Sequence, residues 1–99
     1  MIQRQPITGS NQSKVTFVLP ADYPHLPIAV VGDFNHWNPA ANPLQQRSNG
    51  SYSATVVVEN GHRYAFRYLC DNGRWFNEGL ADAFEENGFG GDNSILIME

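Results

Sequence analysis

Ninety-nine residues weighing 11.0 kDa suffice for one domain around one core and exclude a two-domain protein with a cleft between its halves. With 41% hydrophobic and 16% charged residues, the composition is globular rather than disordered. The net charge is −4, and residues 75–99 hold six acids and no Lys or Arg, so the chain lacks the basic footprint of a nucleic-acid binder.

In chain order, residues 1–12 are polar and are expected to be a flexible segment ahead of a domain spanning 13–99. Runs rich in strand formers then recur at Val15–Leu19, Ile28–Val31, Tyr52–Val58, Tyr64–Cys70 and Ile95–Met98. Asn49-Gly50, Asn60-Gly61 and Asn72-Gly73 readily supply the positive φ of tight turns. They predict a meander in which Leu44–Arg47 pairs with Tyr52–Val58, that strand pairs with Tyr64–Cys70, and Trp75-Phe76 begins the return. The one helix candidate, Leu80–Glu86 between Gly79 and Gly88, is short enough to be an irregular loop instead.

Alternation puts Tyr64, Phe66 and Tyr68 on the core face of their strand and Ala65, Arg67 and Leu69 on the other. Of Trp75 and Phe76, one must point inward and the other outward. About seven short strands in about 100 residues fit an all-β, immunoglobulin-like antiparallel sandwich, with a small barrel as the other architecture. Cys70 has no second cysteine to bridge. No apolar run reaches the roughly 20 residues of a membrane helix, and the polar start carries no apolar signal segment. Together with the unpaired cysteine, these features favour the reducing cytoplasm, away from membranes, although a fragment cut from a larger secreted chain has the same features.

Catalytic chemistry finds little support. Glycoside hydrolysis needs two carboxyl groups about 5–10 Å apart across a cleft, whereas Glu85-Glu86 and Glu78 with Asp82 read as a solvated acidic loop. Cys70 and His62 share a strand face but would stand over about 25 Å apart. His25, His36 and His62 lack metal-ligand spacing. Trp37 is more informative, because it stands among turn-forming residues in Gly32-Asp33-Phe34-Asn35-His36-Trp37-Asn38-Pro39. Such an indole is either folded onto the core or kept for binding. Two outward tryptophans at one end of a sandwich would form platforms for the apolar faces of sugar rings.

Several ordered motifs then carry a resemblance. They are Gly32-Asp-Phe-Asn-His-Trp37, Gly50-Ser-Tyr52, Tyr64-Ala-Phe-Arg-Tyr68, Asp71-Asn-Gly-Arg-Trp75 and Asn87-Gly-Phe-Gly-Gly-Asp-Asn-Ser94. Over about residues 13–98 the chain resembles carbohydrate-binding module family 48, the early-set, isoamylase N-terminal type of immunoglobulin-like domain. That family includes the glycogen-binding domain of the AMP-activated protein kinase β subunit. The resemblance implies a sugar site in which Trp37 and Trp75 stack, Asn93 hydrogen-bonds hydroxyls and Phe89 reaches into a helical glucan. The family lysine falls on Arg67 or on Ala65 according to the anchor of the alignment, and Arg67 keeps a cationic donor on the solvent face. Gly91 stands where the kinase module has threonine, and Asn77-Glu78 replaces an Asp-Pro that often follows the second tryptophan.

The resemblance implies a non-catalytic domain that binds glycogen, starch or maltooligosaccharide, needs no cofactor or metal, and has a glycogen-metabolising enzyme as a further candidate partner. The rival expectation is a structural or protein-interaction module without sugar binding, docking a partner through its acidic tail or an exposed strand edge.

Overall fold

The computed structural model describes residues 1–22, 27–88 and 91–98. In Gln12–Leu19 (β2), the alternating sequence turns Ser13, Val15, Phe17 and Leu19 inward. In Tyr52–Glu59 (β5), Ala54, Val56 and Val58 do the same. The two strands pair antiparallel from Gln12↔Glu59 to Leu19↔Tyr52, so their inward residues form one apolar face. Flanked by Ile2–Pro6 (β1) and Gln45–Gln46 (β4), they make a sheet in the order β1-β2-β5-β4.

The second sheet is centred on His62–Cys70 (β6). It is ordered β3-β6-β9-β8, with β3 at Pro27–Gly32, β8 at Ala83–Glu86 and β9 at Asp92–Met98, and Trp75–Phe76 (β7) also pairs with β6. Val30, Phe66, Tyr68, Leu96 and Met98 close on the first sheet's apolar face. The Phe17 ring lies at their centre, 4.9 Å from Phe66, 5.6 Å from Phe34 and 6.3 Å from Tyr68 by centroid. The protein is thus an all-β, immunoglobulin-like antiparallel sandwich without a disulfide, its one cysteine, Cys70, being free.

The described residues hold nine strands, two beyond expectation. Ile2–Pro6, expected to be flexible, pairs with β2 from Ile2↔Phe17 to Pro6↔Ser13. Ala83–Glu86 is an extended edge strand on β9, not a helix or loop. The preceding Asp82 fastens it, because Ile97 N–H donates to the Asp82 carboxylate at 2.7 Å and Asp82 N–H donates to Ile95 O at 3.0 Å. In a segment this short, such long-range bonds outweigh local propensity.

A third correction concerns the meander. Strands β5 and β6 do not pair; the chain changes sheets at Asn60-Gly61. Asn60 N–H donates to Asn11 O beside the first sheet, and Gly61 N–H donates to Met98 O in the second. Both flanking strands carry a strongly apolar face, and stacking those faces buries both, which side-by-side pairing would not. Tyr64 spans the corner: its hydroxyl donates to Glu59 O at 2.8 Å and accepts from Glu59 N–H at 3.1 Å, as tyrosines do at such corners in immunoglobulin-type sandwiches.

Truncating Phe17 to Ala removes the ring around which three others are arranged. A loss of about 3–5 kcal/mol is expected, lowering the melting temperature by about 4–8 °C per kcal/mol in a domain of this size. Urea and thermal unfolding measure it, and a loss below about 1 kcal/mol would contradict this account of the core.

Candidate functional site

The outward residues of β6 decide where a site can form. Phe66 and Tyr68 are fully buried while Ala65, Arg67 and Leu69 are partly exposed on the opposite face. Trp75 pairs with Leu69 and Phe76 with Tyr68. Cross-strand partners share a face, so Trp75 points outward and Phe76 inward, its ring 5.0 Å from Tyr68. On β9, Ser94 and Leu96 are buried, which turns the half-buried Asn93 outward.

The turn before Trp75 sets its place. Gly73 N–H donates to Cys70 O, and Cys70 N–H to Arg74 O, a three-residue hairpin loop whose last position is left-handed. Gly73 fills that position at φ 79°, where a side chain would be strained. Asn77 and Glu78 fasten the segment beyond. The Asn77 amide accepts from Ser94 N–H at 3.1 Å and donates to Asp92 O at 2.9 Å. Glu78 N–H donates to Ser94 Oγ. The buried Glu78 carboxylate accepts from Tyr68 Oη–H at 2.5 Å and from Leu80 N–H at 3.2 Å. This overturns the reading of Glu78 as part of a solvated acidic loop: its carboxylate replaces water for a core tyrosine.

Trp37 reaches the same face from the other side. After β3 the chain makes a short 3-10 turn, Asp33–Asn35. Gly32 closes β3 against β6 so tightly that a Cβ there would collide with Ala65 O, which only glycine avoids. Buried Asn35 holds the turn, accepting from Gly32 N–H and donating to Val30 O and Asn42 Oδ1. His36 and Trp37 then adopt left-handed φ values of 57° and 56°, a conformation costing about 1–2 kcal/mol per residue. Asp33 offsets that strain. One carboxylate oxygen accepts from Trp37 Nε1–H at 2.9 Å and the other from Ala65 N–H at 2.8 Å, tying the indole to β6.

Asp33, Trp37, Ala65, Arg67, Trp75 and Asn93, with Asn87, line one concavity of about 390 Å³, within the usual range of ligand sites. The two tryptophans are 36% and 40% exposed, seated on the protein with part of each ring left to solvent. The structure thus gathers Trp37, Trp75, Arg67 and Asn93, and Ala65 beside Arg67; Phe89 lies outside the described residues, as does His25. Arg67, expected to be exposed, does lie on the solvent face but is partly buried there. A larger concavity of about 550 Å³ on the first sheet, lined by Gln3, Arg4, Gln5, Lys14, Thr16 and Thr55, has no aromatic wall. Cys70 lies at the opposite end of β6 from His62, and burial, then the charge of Asp71, raises its thiol pKa.

Residues 27–84 match carbohydrate-binding module 48, the isoamylase N-terminal domain. The chain belongs to this family. Two 1,4-alpha-glucan branching enzymes named GlgB 2, from Xanthomonas campestris pv. campestris strains 8004 and ATCC 33913, are similar to this module 48 chain, at 44% identity over 48 residues. That stretch is 48% of the chain and 7% of each enzyme's length. No helix among the described residues of this module 48 domain is long and apolar enough to cross a membrane.

Two lining residues escaped sequence reasoning. Asp33 stands four residues before Trp37 in a turn, a spacing that could have suggested an acceptor for the indole N–H. Asn87 sits in an Asn-Gly motif that reads equally as a plain turn. Asp33→Ala leaves two N–H groups without their acceptor and is expected to cost about 1 kcal/mol and to red-shift Trp37 emission. Asp33→Asn, whose NH₂ would face one of those donors, should keep no more than half of the clamp and so show at least half of the alanine variant's effect. Unchanged emission and melting in both variants would count against the clamp.

Proposed function

We propose that this domain binds α-glucans without transforming them, sugar rings stacking on Trp37 and Trp75 while Asn93 and Arg67 hydrogen-bond hydroxyls at the ring edge. One observation carries the reading: two part-exposed indoles, one from the turn after β3 and one from β7, line one concavity together with Arg67 and Asn93. An indole face offers the flat apolar contact that the C–H face of a pyranose fits, and the amide and guanidinium supply directional donors. Membership of a carbohydrate-binding module family supports a sugar ligand, and the branching-enzyme relatives support an α-glucan. Phe89 belongs to the proposed site as the apolar residue that enters the glucan helix.

The non-catalytic part of the proposal rests on where the carboxylates are engaged. Glu78 is buried on Tyr68, Asp82 bonds to Arg4 and Ile97 N–H, and Glu85 pairs with Arg63 at 2.7 Å. Asp33 uses both oxygens on N–H donors. None is left as one of two free carboxyl groups facing each other across the groove. We place the domain in the cytoplasm, alone or beside a glycogen-metabolising enzyme.

Glycogen co-sedimentation, with cellulose as control, tests the proposal. Trp37→Ala and Trp75→Ala should each weaken binding at least about tenfold, a loss of about 1.4 kcal/mol. Because each ring is partly seated on the protein, folding should lose about 1–2 kcal/mol, short of about 3–5 for a fully buried aromatic. Asn93→Ala should weaken binding by about 1–2 kcal/mol. Wild-type protein that never sediments would favour the interaction-module reading, and equal sedimentation of all variants would move the site elsewhere.

A further inference from the structure

Arg67 has a feature that neutral sugar does not account for. Its Nε is buried and has no hydrogen-bond partner. No carboxylate of the described residues is shown in an ion pair with it; Arg4 and Arg63 are paired with Asp82 and Glu85, and the other basic residues without such a pair, Lys14, Arg47 and Arg74, are exposed where Arg67 is partly buried. The carboxylate that shares the groove, Asp33, has both oxygens committed to Trp37 and Ala65. A guanidinium presents five N–H donors and no acceptor. Nε is out of solvent's reach, so an acceptor brought by a ligand would meet the part of the guanidinium that lines the groove, where a charged donor with no fixed carboxylate partner makes its strongest hydrogen bonds to an anion.

The position of Arg67 explains the missing partner. Strand β6 pairs with β9 as far as Phe66↔Ser94 and with β7 from Tyr68↔Phe76. Arg67 stands between, where β6 changes neighbours: continuing the two registers by one residue brings Asn93 and Asn77 to its level, neither of them as a ladder partner, and Trp75 lies two residues along, opposite Leu69. Its other cross-strand neighbour is Val31, an apolar residue that offers nothing to bind.

We propose that the groove prefers an α-glucan bearing an anionic substituent, a phosphomonoester or a ring carboxylate, which Arg67 clamps while the sugar ring lies on the tryptophans. This rests on the α-glucan reading above. A sugar hydroxyl offers one acceptor oxygen and one donor, and the donor has no use beside a guanidinium. A phosphomonoester offers three acceptor oxygens and about −1.5 to −2 charges, and the planar fork of arginine matches phosphate or carboxylate with two parallel bonds that the lysine ammonium cannot reproduce.

The test uses purified protein and three forms of one amylopectin: naturally phosphorylated, phosphatase-treated, and phosphatase-treated then oxidised at C6 to carboxylate. Phosphatase treatment is expected to weaken wild-type binding about tenfold, the worth of one charge-assisted contact. Arg67→Gln should no longer distinguish phosphorylated from treated material, and Arg67→Lys should keep only part of the difference; thermal melts confirm that both variants fold. Recovery of affinity on the C6-carboxylate form supports the anion clamp and identifies carboxylate as an accepted source. No recovery, with a phosphate effect present, supports it with phosphate as the source. Wild-type binding that is equal on all three forms overturns the anion preference and leaves the α-glucan site standing; binding to none of them overturns both.

Discussion

Strand β6 is the constraint from which both halves of the protein follow. Its inward face gives Phe66 and Tyr68 to the core; its outward face gives Ala65 and Arg67 to the groove. Its backbone holds β3 along one edge and β9 and then β7 along the other. A slip of one residue in its register would put two aromatic rings in water and a guanidinium in the core. The penalty for that exchange is several kcal/mol on either count, comparable with the whole stability of a small domain. Core and groove therefore share one register, and neither can be assembled without the other.

The two tryptophans are held by different means, both of which limit the freedom of the ring. Trp37 hangs on a strained left-handed pair, and its orientation depends on the Asp33 carboxylate. Trp75 follows an unstrained glycine turn and is fastened downstream, where Asn77 acts as a side-chain strand partner to β9 on both sides of Asn93. The replacement of a frequent Asp-Pro by Asn77-Glu78 thus has a structural use: Pro would have no N–H to give Ser94 Oγ, and Glu78 supplies that N–H together with the acceptor for Tyr68. Preorganisation of this kind lowers the ordering cost of binding instead of adding contacts.

Much of this was legible in the sequence, because it depends on period-two alternation and on glycine turns. Phe66 against Arg67, and Val56 against Val57, sort to opposite faces on pattern alone. What escaped depends on contacts between distant segments. Asn60-Gly61 signals a reversal, but whether its flanking strands pair or pass between sheets is decided by where their apolar faces find cover. Ile2–Pro6 and Ala83–Glu86 have weak strand propensity and are extended because β2 and β9 offer them edges. Trp75 and Phe76 could be ordered only once the register with Leu69 and Tyr68 was known. Motif order named the tryptophans and Asn93, which the fold brings to one concavity, and marked Asn77 only as a departure from a family pattern; Asp33 was not singled out, since it acts by replacing a backbone partner, a role that many turn residues share.

The unpaired state of Arg67 belongs to the topology and not to an accident of side-chain placement. A strand that keeps one neighbour throughout offers each outward residue a cross-strand companion on both sides; Arg63, whose companion on β9 is the apolar Ile97, reaches past it along the sheet to Glu85 of β8 at 2.7 Å. Where β6 exchanges β9 for β7, no ladder partner stands opposite Arg67 on that side; Asn93 follows the last β9 pair and Trp75 lies two residues along, opposite Leu69. An acid placed at either of those positions would satisfy the guanidinium internally and close the groove with a salt bridge; the chain has an amide and an indole there instead. The amide is too weak an acceptor to neutralise the charge and the indole has only a donor, so the groove retains a net capacity to donate. An acceptor-rich ligand edge is the chemistry that completes it.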